Sequence, residues 1–96
     1  MKVEKSNMSN ETETLLEFPC QFPIKAMGKS SDTFEDHVVM LVRKHCPDLH
    51  EGAVVCRDSK GGKYLSVTVT VTATSREQLD NIYYELTACE QVLMAL

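Results

Sequence analysis

Between Tyr64 and Ala73 the chain alternates without a break. Leu65, Val67, Val69, Val71 and Ala73 are aliphatic, while Ser66, Thr68, Thr70 and Thr72 carry hydroxyls. A period of two is that of a β-strand, so one face of this strand needs a core and the other does not. At Ser75 the period lengthens to that of a helix. Leu79, Ile82, Tyr83 and Leu86 recur on one face, behind a Ser75–Gln78 pair in capping-box spacing. A second helical stripe runs through Phe34, Val38, Leu41, Val42 and His45. Asp32 stands where a cap is needed, with Glu35 in capping-box register, and Pro47 disfavours helical geometry at Cys46 and ends the helix there.

The remaining segments are weaker strands. Phe22–Gly28 alternates loosely, Ala53–Asp58 is short, and Gln91–Leu96 is apolar on both sides. Ser59-Lys-Gly-Gly-Lys63 supplies a flexible hairpin turn into the long strand. The order β-α-β-β-α-β predicts an α+β ferredoxin-like sandwich, a four-stranded antiparallel sheet in the order 4-1-3-2 with two helices on one face. Leu65, Val67, Val69, Val71 and Ala73 then face the helices, and the threonines form the open side.

That open side has a plain reading, in which threonine tolerates water and keeps good β-propensity. The other reading is association. The last strand cannot hide both Val92/Met94/Leu96 and Leu93/Ala95, and it lies at a sheet edge, where exposed apolar residues invite pairing. Thr68, Thr70, Leu93 and Ala95 are therefore the expected interface of a homodimer. A half-exposed Leu93 and Ala95 are the simpler alternative.

Length adds that the 96 residues form one domain. Residues 1–14 are polar and mixed in charge, so they are expected to be a disordered tail ahead of a domain at 15–96. No apolar run approaches the roughly 20 residues that cross a bilayer, and no signal-peptide core is present, so a cytoplasmic protein without membrane contact is expected. The 4 cysteines include no CxxC pair, so no metal is expected, and in a reducing compartment they serve as small hydrophobes. A formal charge of −4 argues against nucleic acid as a partner. So does the long strand, whose sole aromatic is Tyr64 at its entrance.

Candidate chemistry gathers at one end of the sheet. The topology brings the end of the first strand, the start of the first helix and the 59–63 hairpin together there. Lys25, Gly28, Lys29, Lys60 and Lys63 would then surround a helix N-terminus, whose free N–H groups suit a carboxylate or phosphate. Gly28 would let the backbone approach such a ligand closely. The competing reading is that these lysines keep a hairpin tip in solution. No catalytic residue emerges: His37, His45 and His50 lack matched partners, and His45, Cys46, Asp48 and His50 fit no zinc spacing. Neither enzyme activity nor a cofactor is expected.

Leu15-Leu-Glu-Phe-Pro19, Phe22, Lys25-Ala-Met-Gly28, Ser59-Lys-Gly-Gly-Lys-Tyr64, Ala73-Thr74, Glu77-Gln78 and Ile82-Tyr-Tyr-Glu-Leu86 form a connected pattern. With Val92, Met94 and Leu96 it resembles the YbeD-like family of small bacterial proteins. The resemblance covers residues 15–96. It implies a fold like the ACT regulatory domain, which binds amino acids or similar metabolites, and an association with lipoate metabolism. The glycine of the ACT ligand turn corresponds to Gly28. An ACT domain is typically fused to an enzyme and this chain is not, so the implied role is regulation in trans. The expectation is a non-enzymatic module acting through a small carboxylate-bearing metabolite, a partner enzyme, or both. A protein-interaction module without a ligand is the alternative.

Overall fold

The structure, a computed structural model, describes residues 17–96. The expected tail at 1–14 and the expected domain start at Leu15 lie outside the described residues. The elements are β1 (Cys20–Lys29), α1 (Phe34–Arg43), a 3₁₀ turn (Glu51–Ala53), β2 (Val54–Asp58), β3 (Tyr64–Ala73), α2 (Arg76–Ala88) and β4 (Met94–Ala95). The sheet order is β2-β3-β1-β4, all neighbours antiparallel. This is the expected α+β sandwich.

β1 and β3 pair along their full length, from Cys20–Ala73 to Lys29–Tyr64. That register puts Ile24 opposite Val69 and Ala26 opposite Val67, and all four are 0% exposed beneath the helices. Phe34, Val38 and Val42 of α1 and Leu79, Ile82 and Leu86 of α2 complete the core. Burying a side chain of this size contributes roughly 1.5–3 kcal/mol, so these contacts dominate the fold's stability. On the other face Lys25 meets Thr68, Pro23 meets Thr70 and Met27 meets Ser66. The alternation of β3 is therefore a record of this two-sided environment.

Local signals explain the element ends. Gly61 and Gly62 take φ of 86° and 73°, the left-handed region that the tight hairpin needs and that glycine enters freely. Ser59 closes this turn, its N–H donating to the Tyr64 carbonyl at 2.9 Å and its Oγ accepting from Tyr64 N–H at 3.0 Å. Ser75 caps α2 as expected, accepting from Gln78 N–H at 3.1 Å. Gln78 reaches back one residue further than in a simple capping box and accepts from Thr74 N–H at 2.7 Å.

Three expectations are corrected. Asp32 does not cap α1: Thr33 holds the N-cap position without a side-chain bond, and the first helical N–H, of Phe34, is met instead by Ser31 Oγ, which accepts from it at 3.1 Å. Asp32 and Ser31 both have short oxygen-bearing side chains, and the path of the turn decides which one meets the free N–H. α1 also ends earlier, at Arg43, followed by a turn in which both Lys44 and Cys46 N–H groups find carbonyls inside the helix. The last strand is shorter than Gln91–Leu96. Its opening residues form a turn, with Val92 N–H donating to the Cys89 carbonyl at 3.0 Å.

Pro23 lies on the edge of β1 that β4 also uses. Lys25 and Leu96 exchange both hydrogen bonds, at 3.0 and 2.8 Å, so the backbone of Lys25 points toward β4. Alternation aims position 23 the same way, where proline has no N–H to give.

Candidate functional site

The β1–α1 turn is built by close packing. Gly28 is buried, and a Cβ placed on it would lie 2.3 Å from the Gln91 carbonyl oxygen and 2.6 Å from Cε1 of Phe34. Its missing side chain thus admits Phe34 and the 89–93 segment rather than opening a path for a ligand. Ser30 N–H donates to the Lys63 carbonyl at 3.0 Å, which ties the turn directly to the hairpin. Ser31 already satisfies the first N–H of α1. Glu35 and Asp36 occupy the first helical turn, where their charges offset the positive end of the helix.

The lysines do not form one ring around this end. Lys25 sits in mid-strand on the open face, opposite Thr68, which corrects its expected place at the turn. Lys29 lies at the strand end opposite Tyr64, and Lys60 and Lys63 are exposed on the hairpin. A cavity of about 240 Å³ adjoins the turn, but on the side away from the hairpin. Lys29, Ser31, Phe34, Glu90, Gln91 and Leu93 line it, so its basic and acidic groups partly cancel.

The open sheet face has a different character. Its charged residues are Lys25, Lys29 and Arg57, and no Asp or Glu lies at an open-face position of the paired strands. Carboxylates sit instead on the helices, as Glu35, Asp36, Glu77, Asp80 and Glu85 do, in connecting turns, as Asp32, Asp48 and Glu90 do, or on the helix side of β2, as the exposed Asp58 does. Thr68 and Thr70 are half-buried in the middle of this face, as placed from the sequence. Tyr64, Val55, Met27, Met94 and Leu96 supply apolar surface around them.

Here the expected interface pair needs correction. Ala95 lies opposite Ala26, so it faces the helices and packs against the core. Leu93 lies outside the ladder, 63% exposed, at the mouth of the small cavity. The exposed open-face residues are Met94 and Leu96, at 52% and 61%. A strand apolar on both sides carries no signal for its register, which is why alternation could not choose between the two sets. Val55 and Arg57 were also missed, because β2 alternates too briefly to assign its faces.

Of His45, Cys46, Asp48 and His50, the first two make contacts with α2. His45 Nε2 is 2.5 Å from Glu85 Oε2, and Lys44 Nζ donates to Glu85 Oε1 at 3.1 Å. These bonds from His45 and then Lys44 hold the Glu85 carboxyl below its usual range. Gln78 Nε2 donates to the His45 carbonyl at 2.9 Å and to Cys46 Sγ at 3.3 Å. Together they clasp the end of α1 to α2. The exposed Cys56 on β2 has its thiol pushed up to about 11, first by partial desolvation and then by the neighbouring Glu35, which favours the thiol over the thiolate at neutral pH.

Residues 13–96 match the model of a family described as "Protein of unknown function (DUF493)". The chain belongs to the DUF493 family. A UPF0250 protein of Chromobacterium violaceum is 54% identical over 89 residues, covering 93% of this chain and 100% of the relative. Another, from Ralstonia nicotianae, is 50% identical over 84 residues, covering 88% and 87%. The solution structure of Protein HP0495 from H. pylori aligns with a TM-score of 0.67 over 92% of both chains. At 15% identity that likeness shows a shared fold.

The DUF493 match takes in both helices and all four strands. The turn, the open face and the clasp are therefore features of the family domain in this chain. It is also the family reached from the YbeD-like pattern at 15–96. Among the described residues of this DUF493 chain, no helix is long and apolar enough to cross a membrane.

Proposed function

We propose that this protein is a non-enzymatic regulatory module that acts in trans by docking a partner enzyme on the open face of its sheet. One observation carries the reading. In a chain of net charge −4, the open face holds Lys25, Lys29 and Arg57 among exposed apolar side chains and no carboxylate side chain. An apolar patch with a rim of one charge favours a protein surface of the opposite charge, which it both steers and desolvates. The partner is therefore an acidic surface with an apolar centre. The family resemblance directs the search to enzymes of lipoate metabolism, in the cytoplasm.

A small anionic metabolite is the second reading, favoured by Lys29 beside the cavity of about 240 Å³. Glu90 in the same lining and the acids in the first turn of α1 weigh against it.

The test is co-purification from the native cell, then reconstitution with the purified enzyme that is captured. Lys25→Glu with Arg57→Glu should lower that enzyme's affinity at least about tenfold while leaving the fold intact. Unchanged affinity removes the open face from the interaction. Binding to mixed RNA that falls steeply with salt would replace the enzyme with nucleic acid. Amide shifts at 29–34 and 90–93 with carboxylates or phosphates, and none with the enzyme, would favour the metabolite.

A further inference from the structure

A groove of about 720 Å³ runs between the outer side of α1 and β2, on the helix side of the molecule, away from the open sheet face. Asp36, Val39, Met40 and Arg43 form its helical wall, and Val54 of β2 lies across from them. The spacing of those four helical residues places them on one stripe of α1, distinct from the Phe34–Val38–Val42 stripe in the core. Met40 is 60% exposed at its centre.

The order of chemistry along this stripe is self-complementary. Acid stands at its N-terminal end, apolar side chains in the middle, and base at its C-terminal end. Asp36 and Arg43 are equidistant from the Val39–Met40 peptide bond, and so are Glu35 and Lys44. A second copy of the helix, laid antiparallel across a two-fold axis at that bond, brings Asp36 to the partner's Arg43 and Val39 to the partner's Met40. It does so twice, once on each side of the axis, as a two-fold interface must. A parallel arrangement would set like charges together at both ends.

We propose that the protein forms a homodimer through α1, with antiparallel helices and an Asp36–Arg43 pair at each end of the seam. The flanking charges are partly occupied inside one chain. Lys44 Nζ holds Glu85 Oε1 at 3.1 Å. Arg43 spends one N–H on the Leu49 carbonyl at 3.3 Å and keeps further donors for a carboxylate. Asp36–Arg43 is therefore the pair that decides association. α1 is only 10 residues long, so the seam is smaller than the roughly 800 Å² per partner of a stable complex. The dimer is accordingly weak, at the micromolar end of the affinity scale. Both open sheet faces stay uncovered in it, so this inference stands apart from the proposed partner surface and is tested without it.

Sedimentation of the full chain up to about 1 mM, well above that range, reads the outcome. The wild type should show a monomer–dimer equilibrium. Asp36→Arg and Arg43→Asp should each weaken it about tenfold or more, because each turns both attractive pairs into repulsive ones. Mixing the two variants should restore a dimer, since every pair is then opposite in charge again. Met40→Lys, which sets two like charges beside the axis, should also dissociate it and serves if either charge variant fails to fold. A wild type that stays monomeric overturns the proposal. So does a dimer indifferent to Asp36→Arg, Arg43→Asp and Met40→Lys, which would place the contact elsewhere. Two monomeric variants that do not combine would overturn the antiparallel two-fold arrangement.

Discussion

The ring of Phe34 occupies the space that any side chain on Gly28 would need, with Cε1 at 2.6 Å and Cζ at 2.7 Å from where a Cβ would stand. The backbone of Gln91 closes the other side at 2.3 Å. Two elements distant in sequence thus meet over one residue. Gly28 has no positive φ, so the constraint is steric.

Gly28→Ala should therefore destabilise the domain by about 1–3 kcal/mol, the usual range for overpacking, and Gly28→Val by more. Chemical denaturation measures it. A loss for Gly28→Ala within about 0.5 kcal/mol, the range of ordinary surface substitutions, would mean that Phe34 yields freely.

The cap of α1 gives a paired comparison. Ser31→Ala removes the acceptor for Phe34 N–H and should cost about 1 kcal/mol. Asp32→Ala should be nearly neutral, within about 0.5 kcal/mol. Reversal of the order in thermal melts would return the cap to Asp32.

Much of the fold was legible because β3 and the two helical stripes carry long, unmixed periods. The turn chemistry was legible where one residue type is required, as at Gly61 and Gly62. Ser31 against Asp32 was a choice between equivalent acceptors, which only the path of the chain resolves. The candidate site was read less well. Topology brings the end of β1 to the turn, but Lys25 lies in mid-strand, where alternation turns it onto the open face. Ala95 and Met94 could not be told apart by hydrophobicity, since the partner strand sets which one faces inward.

Position 69 against position 70 tests the register itself. Val69 is 0% exposed, so Val69→Asp buries an unpaired charge and should destabilise by several kcal/mol, roughly 3 or more. Thr70→Lys, on the open face, should change stability by less than about 1 kcal/mol. Equal shifts in denaturant midpoint would contradict the pairing of β3.

Acid should loosen the clasp between the helices. The Glu85 carboxyl is held below its ordinary value near 4.5, first by His45 and then by Lys44. A carboxylate lowered in the folded state adds stability above its unfolded pKa, and that contribution fades as pH falls through the folded value. Glu85→Gln should thus lower the melting temperature at neutral pH, and the gap to wild type should close in solutions progressively more acidic than 4.5. A gap that stays constant down to strong acid would show that shape rather than charge makes the clasp.

Any strand that comes alongside β1 beyond Lys25 meets Pro23, a residue with no hydrogen to donate. A sheet grows by adding strands at an open edge, and each added strand offers the next one a template. On this side the template is defective at a fixed position. Pro23 therefore leaves the uncovered stretch of that edge one donor short, and a strand docking there forms a weaker ladder.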